Sequence, residues 1–91
     1  MSGPGKQRRA RVVALGRAIT QLRVERDLSV AQFAGAVGMT PAYVEAVEAA
    51  DFSISYVVLW RLADGLGVPA HELVQLAHEL PTDEHEGGAG R

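Results

Sequence analysis

Apolar side chains recur at every third or fourth position along most of the chain, which is the period of an amphipathic α-helix. The longest such run extends from about Arg8 to Arg26. Its apolar residues share one face and most of its arginines lie on the other; the apolar positions are Val12, Leu15, Ile19 and Leu22. No segment shows the alternation of a half-buried strand. The pattern predicts an all-α protein.

The second helix is delimited by residues that are typical of helix ends. Ser29 is followed three residues later by Gln32, a capping-box pair in which each side chain bonds the backbone N–H of the other residue. Gly38 suits the left-handed position that follows many helices. These signals predict a helix from about Val30 to Val37.

A third helix is predicted to start after a short turn. Thr40 can cap it, and Pro41 then occupies the first helical position, where its missing N–H is not needed. Tyr43, Val44 and Val47 supply its apolar side. Two short helices joined by a tight turn are therefore expected within residues 30–48.

Similar signals predict two further helices. Ser55 can cap a fourth helix that ends near Leu66, before Gly67. Pro69 opens a fifth helix that ends near Glu79. The inward stripe of the fourth helix is expected to consist of Leu59, Leu62, Ala63 and Leu66.

Residues 8–80 are expected to form one domain, because a chain of 91 residues with 47% apolar content suffices for a single core. Residues 1–7 are expected to be a flexible basic arm. The segment PTDEHEGGAGR at 81–91 is acidic and rich in glycine, so we expect it to be disordered.

Charge is divided unevenly along the chain, although the net charge is only -2. Residues 1–26 contain seven basic residues and one acidic residue, a net +6. Residues 27–91 contain two basic and ten acidic residues, a net -8. A basic edge on an acidic body is compatible with phosphate contact at that edge and argues against a broadly basic nucleic-acid surface.

The composition and residue spacing also indicate where the protein is located and whether it has catalytic or metal-binding residues. The chain has no cysteine, which fits a cytoplasmic protein, and no apolar run is long enough to span a membrane. It contains no glycine-rich phosphate loop and no spacing typical of a catalytic triad, so we expect neither an enzyme nor a cofactor. His71, His78 and His85 recur every seven residues, whereas zinc ligands on one helix lie about four apart, and no metal site is predicted.

Four segments in order resemble the xenobiotic-response-element (XRE) family of bacterial regulators, the phage-repressor and Cro type of helix-turn-helix protein. They are LGRAITQLRVERDLS at 15–29, FAGAVGM at 33–39, TPAYVEAVE at 40–48 and LWRLADGLGVPAHEL at 59–73. The resemblance implies a five-helix, lambda-repressor-like domain. It also implies a structural ion pair between Arg23 and Glu48.

In this family the third helix enters the major groove of double-stranded DNA. The resemblance places base or groove contacts at Thr40, Ala42, Tyr43 and Ala46. It places contacts to the DNA backbone at Arg8, Arg9, Arg11, Ser29 and Thr40. The function that it implies is sequence-specific transcription regulation.

The residues that would face DNA depart from the family's pattern. Val30 stands where the family often has a phosphate-binding glutamine. Pro41 and the alanines of the third helix cannot hydrogen-bond to bases through their side chains. Asp51 lies in a loop that in the family tends to carry a glycine and basic residues. An alternative is therefore a protein-interaction module that kept the fold and lost base reading.

A second apolar surface indicates a partner. Val57 and Trp60 flank the inward stripe of the fourth helix, and exposed aromatic residues often anchor interfaces. In the fifth helix, Leu73, Leu76 and Leu80 follow a heptad-like step. We expect a homodimer, as is common in the family, or another protein partner.

Overall fold

The computed structural model describes the backbone of residues 4–80 and the side chains of residues 8–80. The predicted acidic tail, residues 81–91, lies outside the described residues, and so do residues 1–3 of the predicted basic arm.

Five helices make up the described chain, in which no strand occurs. They are α1 (Pro4–Glu25), α2 (Val30–Val37), α3 (Pro41–Glu48), α4 (Tyr56–Leu66) and α5 (Ala70–Glu79). The all-α prediction is confirmed. The first helix starts at Pro4 rather than near Arg8, so residues 4–7 are helical and continue α1. A proline at the first position of a helix is favourable because its fixed φ already suits the helix.

The predicted caps of α2 are formed. The hydroxyl of Ser29 accepts the N–H of Gln32 at 3.0 Å, and the Gln32 side chain accepts the N–H of Ser29 at 2.8 Å. Gly38 ends the helix with φ 72°, a left-handed conformation that glycine adopts without steric cost. The turn between α2 and α3 is thus specified by local sequence.

Three arginines bond the carboxyl-terminal ends of other helices. Arg61 donates to the carbonyl of Val37 at 2.7 Å, and Arg26 donates to the carbonyl of Leu66 at 2.6 Å. Arg9 donates at 2.7 Å to a carbonyl just after α3. The last carbonyls of a helix lack intrahelical donors and carry a partial negative charge, so Arg61 and Arg26 each supply a hydrogen bond and a compensating positive charge.

The core lies where all five helices meet. Its largest fully buried side chains are Ile19, Phe33, Val44, Leu62, Leu66 and Leu73. Leu73 is 0% exposed, which corrects its predicted place in a partner interface. At this position the leucine of α5 packs into the core of its own domain.

Two glycines allow close helix crossings. A methyl group added to Gly16 of α1 would lie 2.7 Å from the carbonyl oxygen of Glu48 at the end of α3. One added to Gly65 of α4 would collide with Val37 of α2. α3 is therefore held against α1 at backbone contact distance, and the side chains of Val37 and Phe33 on α2 pack directly on the backbone of α4 at Gly65.

Candidate nucleic-acid interface

One side of α3 faces solvent along the whole helix. Thr40, Ala42 and Glu45 are exposed, and Tyr43 and Ala46 are half-buried. Ala46 lies four positions after Ala42 and three after Tyr43, so it shares a face with both. The structure therefore brings the predicted groove-contact residues together, while Val44 and Val47 hold the opposite side in the core.

The two predicted hydroxyl contacts lie at the starts of α2 and α3. Ser29 and Thr40 use their side-chain oxygens to accept a backbone N–H, and for Thr40 that bond goes to Tyr43 at 3.1 Å. A hydroxyl that accepts in this way can still donate its own hydrogen. Both residues are exposed. Each therefore presents a donor beside the positive end of a helix dipole, which suits an anion.

The predicted ion pair between Arg23 and Glu48 is present. Two guanidinium nitrogens of Arg23 bond the two carboxylate oxygens of Glu48 at 2.7 and 3.1 Å, and both side chains are largely buried. The hydrogen bond and the charge of this carboxylate raise the pKa of Arg23 against the effect of burial. A third nitrogen donates to the carbonyl of Leu28 at 2.7 Å. One arginine thus fixes α3 and the segment before α2 to α1.

The basic end of α1 lies beside the loop that follows α3. Arg9 bonds the carbonyl of Ala50 at 2.7 Å, a structural role that was not predicted from the sequence. Arg8 and Arg11 are exposed, and among the side chains that the structure describes none pairs with either. Their charges lie next to the loop that contains Asp51.

A groove separates α1 from this loop, and we call it the α1–loop groove. Its volume is about 400 Å³. Arg8 and Arg11 line it together with the apolar residues Val12, Leu15, Val47, Phe52 and Ile54. No carboxylate occurs among the described residues that line it. Sequence patterns do not reveal this groove, because its walls come from distant parts of the chain.

Phe52 links the groove to α3. Its ring lies 5.3 Å from the ring of Tyr43, measured between centroids, and the two planes are tilted by 43°. Sequence reasoning missed Phe52, although a phenylalanine in a polar loop is itself a signal. Tyr43, a predicted DNA contact, is therefore positioned by a residue of the groove wall.

The predicted partner surface on α4 is exposed. Val57 is 66% exposed and Trp60 is 54% exposed. Trp60 packs against Tyr56 with ring centroids 5.8 Å apart, and Tyr56 extends the same apolar surface. Leu76 of α5 and Leu80, which follows the end of that helix, are half-buried against the domain's own core.

Neither a cluster of metal-binding side chains nor a membrane-spanning helix occurs among the described residues. In residues 4–80 no three metal-binding side chains lie close enough together to hold an ion. His71 and His78 are exposed, and His85 lies outside the described range. No helix of residues 4–80 is long and apolar enough to cross a membrane.

Comparison with known proteins gives one family and several similar structures. A family model described as a helix-turn-helix domain matches residues 14–76, well over half of the chain. No curated protein sequence matches significantly.

Among solved structures, the restriction-modification controller protein C.AhdI from Aeromonas hydrophila is 31% identical, with 68% of this chain and 94% of that chain covered and a TM-score of 0.66. The clp gene regulator ClgR from C. glutamicum is 23% identical, with 76% and 88% covered and a TM-score of 0.70. A second ClgR structure is 21% identical, with 89% and 81% covered and a TM-score of 0.72, and at these identities ClgR supports the fold alone. The chain belongs to the helix-turn-helix domain family.

Proposed function

We propose that the protein is a sequence-specific DNA-binding transcription regulator that acts as a homodimer. The observation that carries the proposal is the exposed face of α3, which the pair of Arg23 and Glu48 holds in place. Arg8 and Arg11 are exposed beside the loop that follows this helix. The structural likeness to a restriction-modification controller protein at 31% identity supports a regulatory role. The helix-turn-helix family also points to a non-enzymatic role.

Only a few side chains at the start and on the exposed face of α3 can contact DNA bases. The methyl groups of Ala42 and Ala46 suit contact with thymine methyl groups, and Thr40 can donate or accept a hydrogen bond. Tyr43 offers a hydroxyl on a ring that packs against Phe52. Because this face lacks a bidentate side chain, each base pair is discriminated weakly, and specificity depends on two half-sites being read together.

Phosphate contact would come from two directions. Ser29 and Thr40 donate from the starts of α2 and α3, while Arg8 and Arg11 reach the backbone from the far side of the loop after α3. Glu45 is exposed on α3 and repels phosphate. Affinity is therefore expected to depend on the two arginines and to fall steeply with salt.

The exposed surface of Tyr56, Val57 and Trp60 is the proposed dimer contact. Aromatic residues with a large apolar area are common anchors of such interfaces. A two-fold dimer would present two α3 helices to half-sites about one helical turn apart, roughly 34 Å.

A protein-interaction module is the second candidate. It is favoured by the same face of α3, because Pro41, Ala42 and Ala46 cannot form side-chain hydrogen bonds to bases and Glu45 is acidic. In that case the surface around Trp60 would bind another protein and α3 would have no DNA ligand.

Selection from a random pool of DNA duplexes distinguishes these candidates, because the selection itself identifies any sequence that the protein prefers. A regulator should enrich a site with two-fold symmetry. The selected site should then be bound more weakly by Tyr43→Ala, while Glu79→Ala, at the exposed end of α5, serves as a matched surface control.

The salt dependence tests the arginine contacts separately. Replacing Arg8 and Arg11 with glutamine in both protomers removes four cations, which should lower the slope of log K against log salt by about 3 to 4. An unchanged slope would exclude these arginines from phosphate contact, and failure to enrich any sequence would favour the interaction module.

A further inference from the structure

The α1–loop groove is a preformed feature rather than a gap between loosely attached segments. The hydrogen bond from Arg9 to the carbonyl of Ala50, at 2.7 Å, ties the start of α1 to the loop. On the other side, Gly16 brings α1 to backbone contact distance from the end of α3. The volume of about 400 Å³ falls in the range of small-molecule sites, roughly 300 to 1,000 Å³.

The groove combines two kinds of chemistry. Its floor contains Val12, Leu15 and Ile54, which are all half-buried and thus still partly open to solvent. Its rim contains Arg8 and Arg11, three residues apart on α1 and therefore on the same side of that helix. No described carboxylate on the lining neutralises them. A ligand that contacts both the apolar floor and the two arginines must have an apolar body and a negative charge.

We propose that the α1–loop groove binds a small amphipathic carboxylate. A ligand for a groove of this size has roughly ten to fifteen heavy atoms, and its apolar body lies on the floor against Phe52. The carboxylate accepts hydrogen bonds from the guanidinium groups of Arg8 and Arg11, whose planar arrays of donors match the geometry of a carboxylate.

Occupancy of the groove would oppose DNA binding, a consequence that rests on the proposed function. The ligand would use Arg8 and Arg11, which are the proposed phosphate contacts. It would also press on Phe52, whose ring supports Tyr43 at 5.3 Å. Because linkage is reciprocal, DNA would weaken ligand binding by the same factor. The groove thus provides an inducer site within the DNA-binding domain itself.

The site is tested on the protein alone, with 4-phenylbutyrate as the probe. Its twelve heavy atoms, which include the carboxylate, suit the groove, and a dissociation constant on the order of 1 mM or below is expected from ordinary ligand efficiencies. Titration followed by ¹⁵N–¹H correlation spectra should shift the amides of Leu15, Gly16 and residues 52–54 in a saturable manner. The neutral analogue 4-phenylbutan-1-ol should bind at least about tenfold more weakly, because it lacks the charge.

Two variants complete the test. Substitution of Arg8 and Arg11 together by glutamine should weaken the probe about tenfold or more, and the same spectra report whether the variant is folded. Phe52→Ala, which removes one wall, should weaken the acid and the alcohol alike. In the presence of DNA, the acid should lower affinity for a selected duplex and the alcohol should not.

Several outcomes would overturn the proposal. These are no saturable shift at the groove, equal binding of acid and alcohol, or shifts confined to the surface around Trp60. Binding that appears only after removal of residues 81–91 would mean that the acidic tail, rather than a free ligand, occupies the site. The titrations of the protein alone need no DNA, so their failure leaves the proposed DNA binding standing, and a failure of DNA binding leaves the ligand site standing.

Discussion

Substitution of Gly16 by alanine tests whether the crossing of α1 and α3 is set by backbone contact. The added methyl group would lie 2.7 Å from the carbonyl oxygen of Glu48 and 2.9 Å from that of Val47. Ordinary carbon–oxygen contacts lie at about 3.3 Å or more, so the two helices must separate by roughly 0.6 Å. Neither oxygen can rotate away, because both belong to the backbone of the last turn of α3.

The expected cost follows from two opposing effects. Overpacking of a closely fitted contact costs about 1–3 kcal/mol. Replacement of glycine by alanine inside a helix returns up to about 1 kcal/mol. The free energy of unfolding should therefore fall by about 1–2 kcal/mol, and the melting temperature by roughly 5–15 °C for a domain of this size.

Gly35→Ala is the matched control. Gly35 lies inside α2, is exposed, and has no atom within 4 Å of the place where a methyl group would be added. The same chemical change should here stabilise the protein by about 0.5–1 kcal/mol through helix propensity alone. Urea unfolding followed by far-UV circular dichroism, at one fixed protein concentration, gives both values. The role of backbone contact is refuted if Gly16→Ala is as stable as the wild type or changes stability in the same direction as Gly35→Ala.

Three further substitutions probe other contacts. Glu48→Gln should lower the free energy of unfolding in urea by about 2 kcal/mol, because it leaves the Arg23 charge largely buried without its counterion; a loss under about 0.5 kcal/mol would contradict this. Arg26→Gln removes the 2.6 Å bond to the carbonyl of Leu66 and should cost about 1 kcal/mol in the same assay, and an unchanged midpoint would show that water replaces the arginine. Trp60→Ala should give a folded monomer in sedimentation velocity if this residue anchors the dimer, and an unchanged dimer would place the interface elsewhere.

Local signals in the sequence predicted most of the helix ends. The capping pair of Ser29 and Gln32, the Thr40–Pro41 start of α3 and the glycines at 38 and 67 act through neighbours in the chain, so their meaning does not depend on the rest of the fold. The start of α1 at Pro4 was not predicted. A lone proline between glycines is also typical of a loop, and the bond from Arg9 to Ala50 is a distant contact that local rules cannot anticipate.

Features that depend on distances between helices were missed or misassigned. Periodicity places Leu73 on an apolar face but does not say whether that face meets the core or a partner, and the structure shows that it meets the core. Gly16 and Gly65 have no local turn to mark them, since their role is to let another helix approach. No local signal marks the roles of Arg26 and Arg61, because they bond the ends of helices about forty and twenty-four residues away.

The candidate interface was predicted through the family resemblance, which supplied positions rather than chemistry. The structure brings Ala42, Tyr43 and Ala46 to one face and exposes Thr40, but their use on DNA stays a prediction. The α1–loop groove could not be predicted at all, because Arg8 and Phe52 are far apart in sequence and meet only in the folded chain.

Fluorescence anisotropy with the duplex upstream of the protein's own gene, beside a scrambled duplex, tests the central claim most directly. We predict tight binding to the native duplex, weak binding to the scrambled one, and a steep loss of affinity as salt is raised. No binding to either duplex at low salt, by protein shown to be folded, would contradict DNA recognition by this chain and favour a protein ligand for the surface around Trp60.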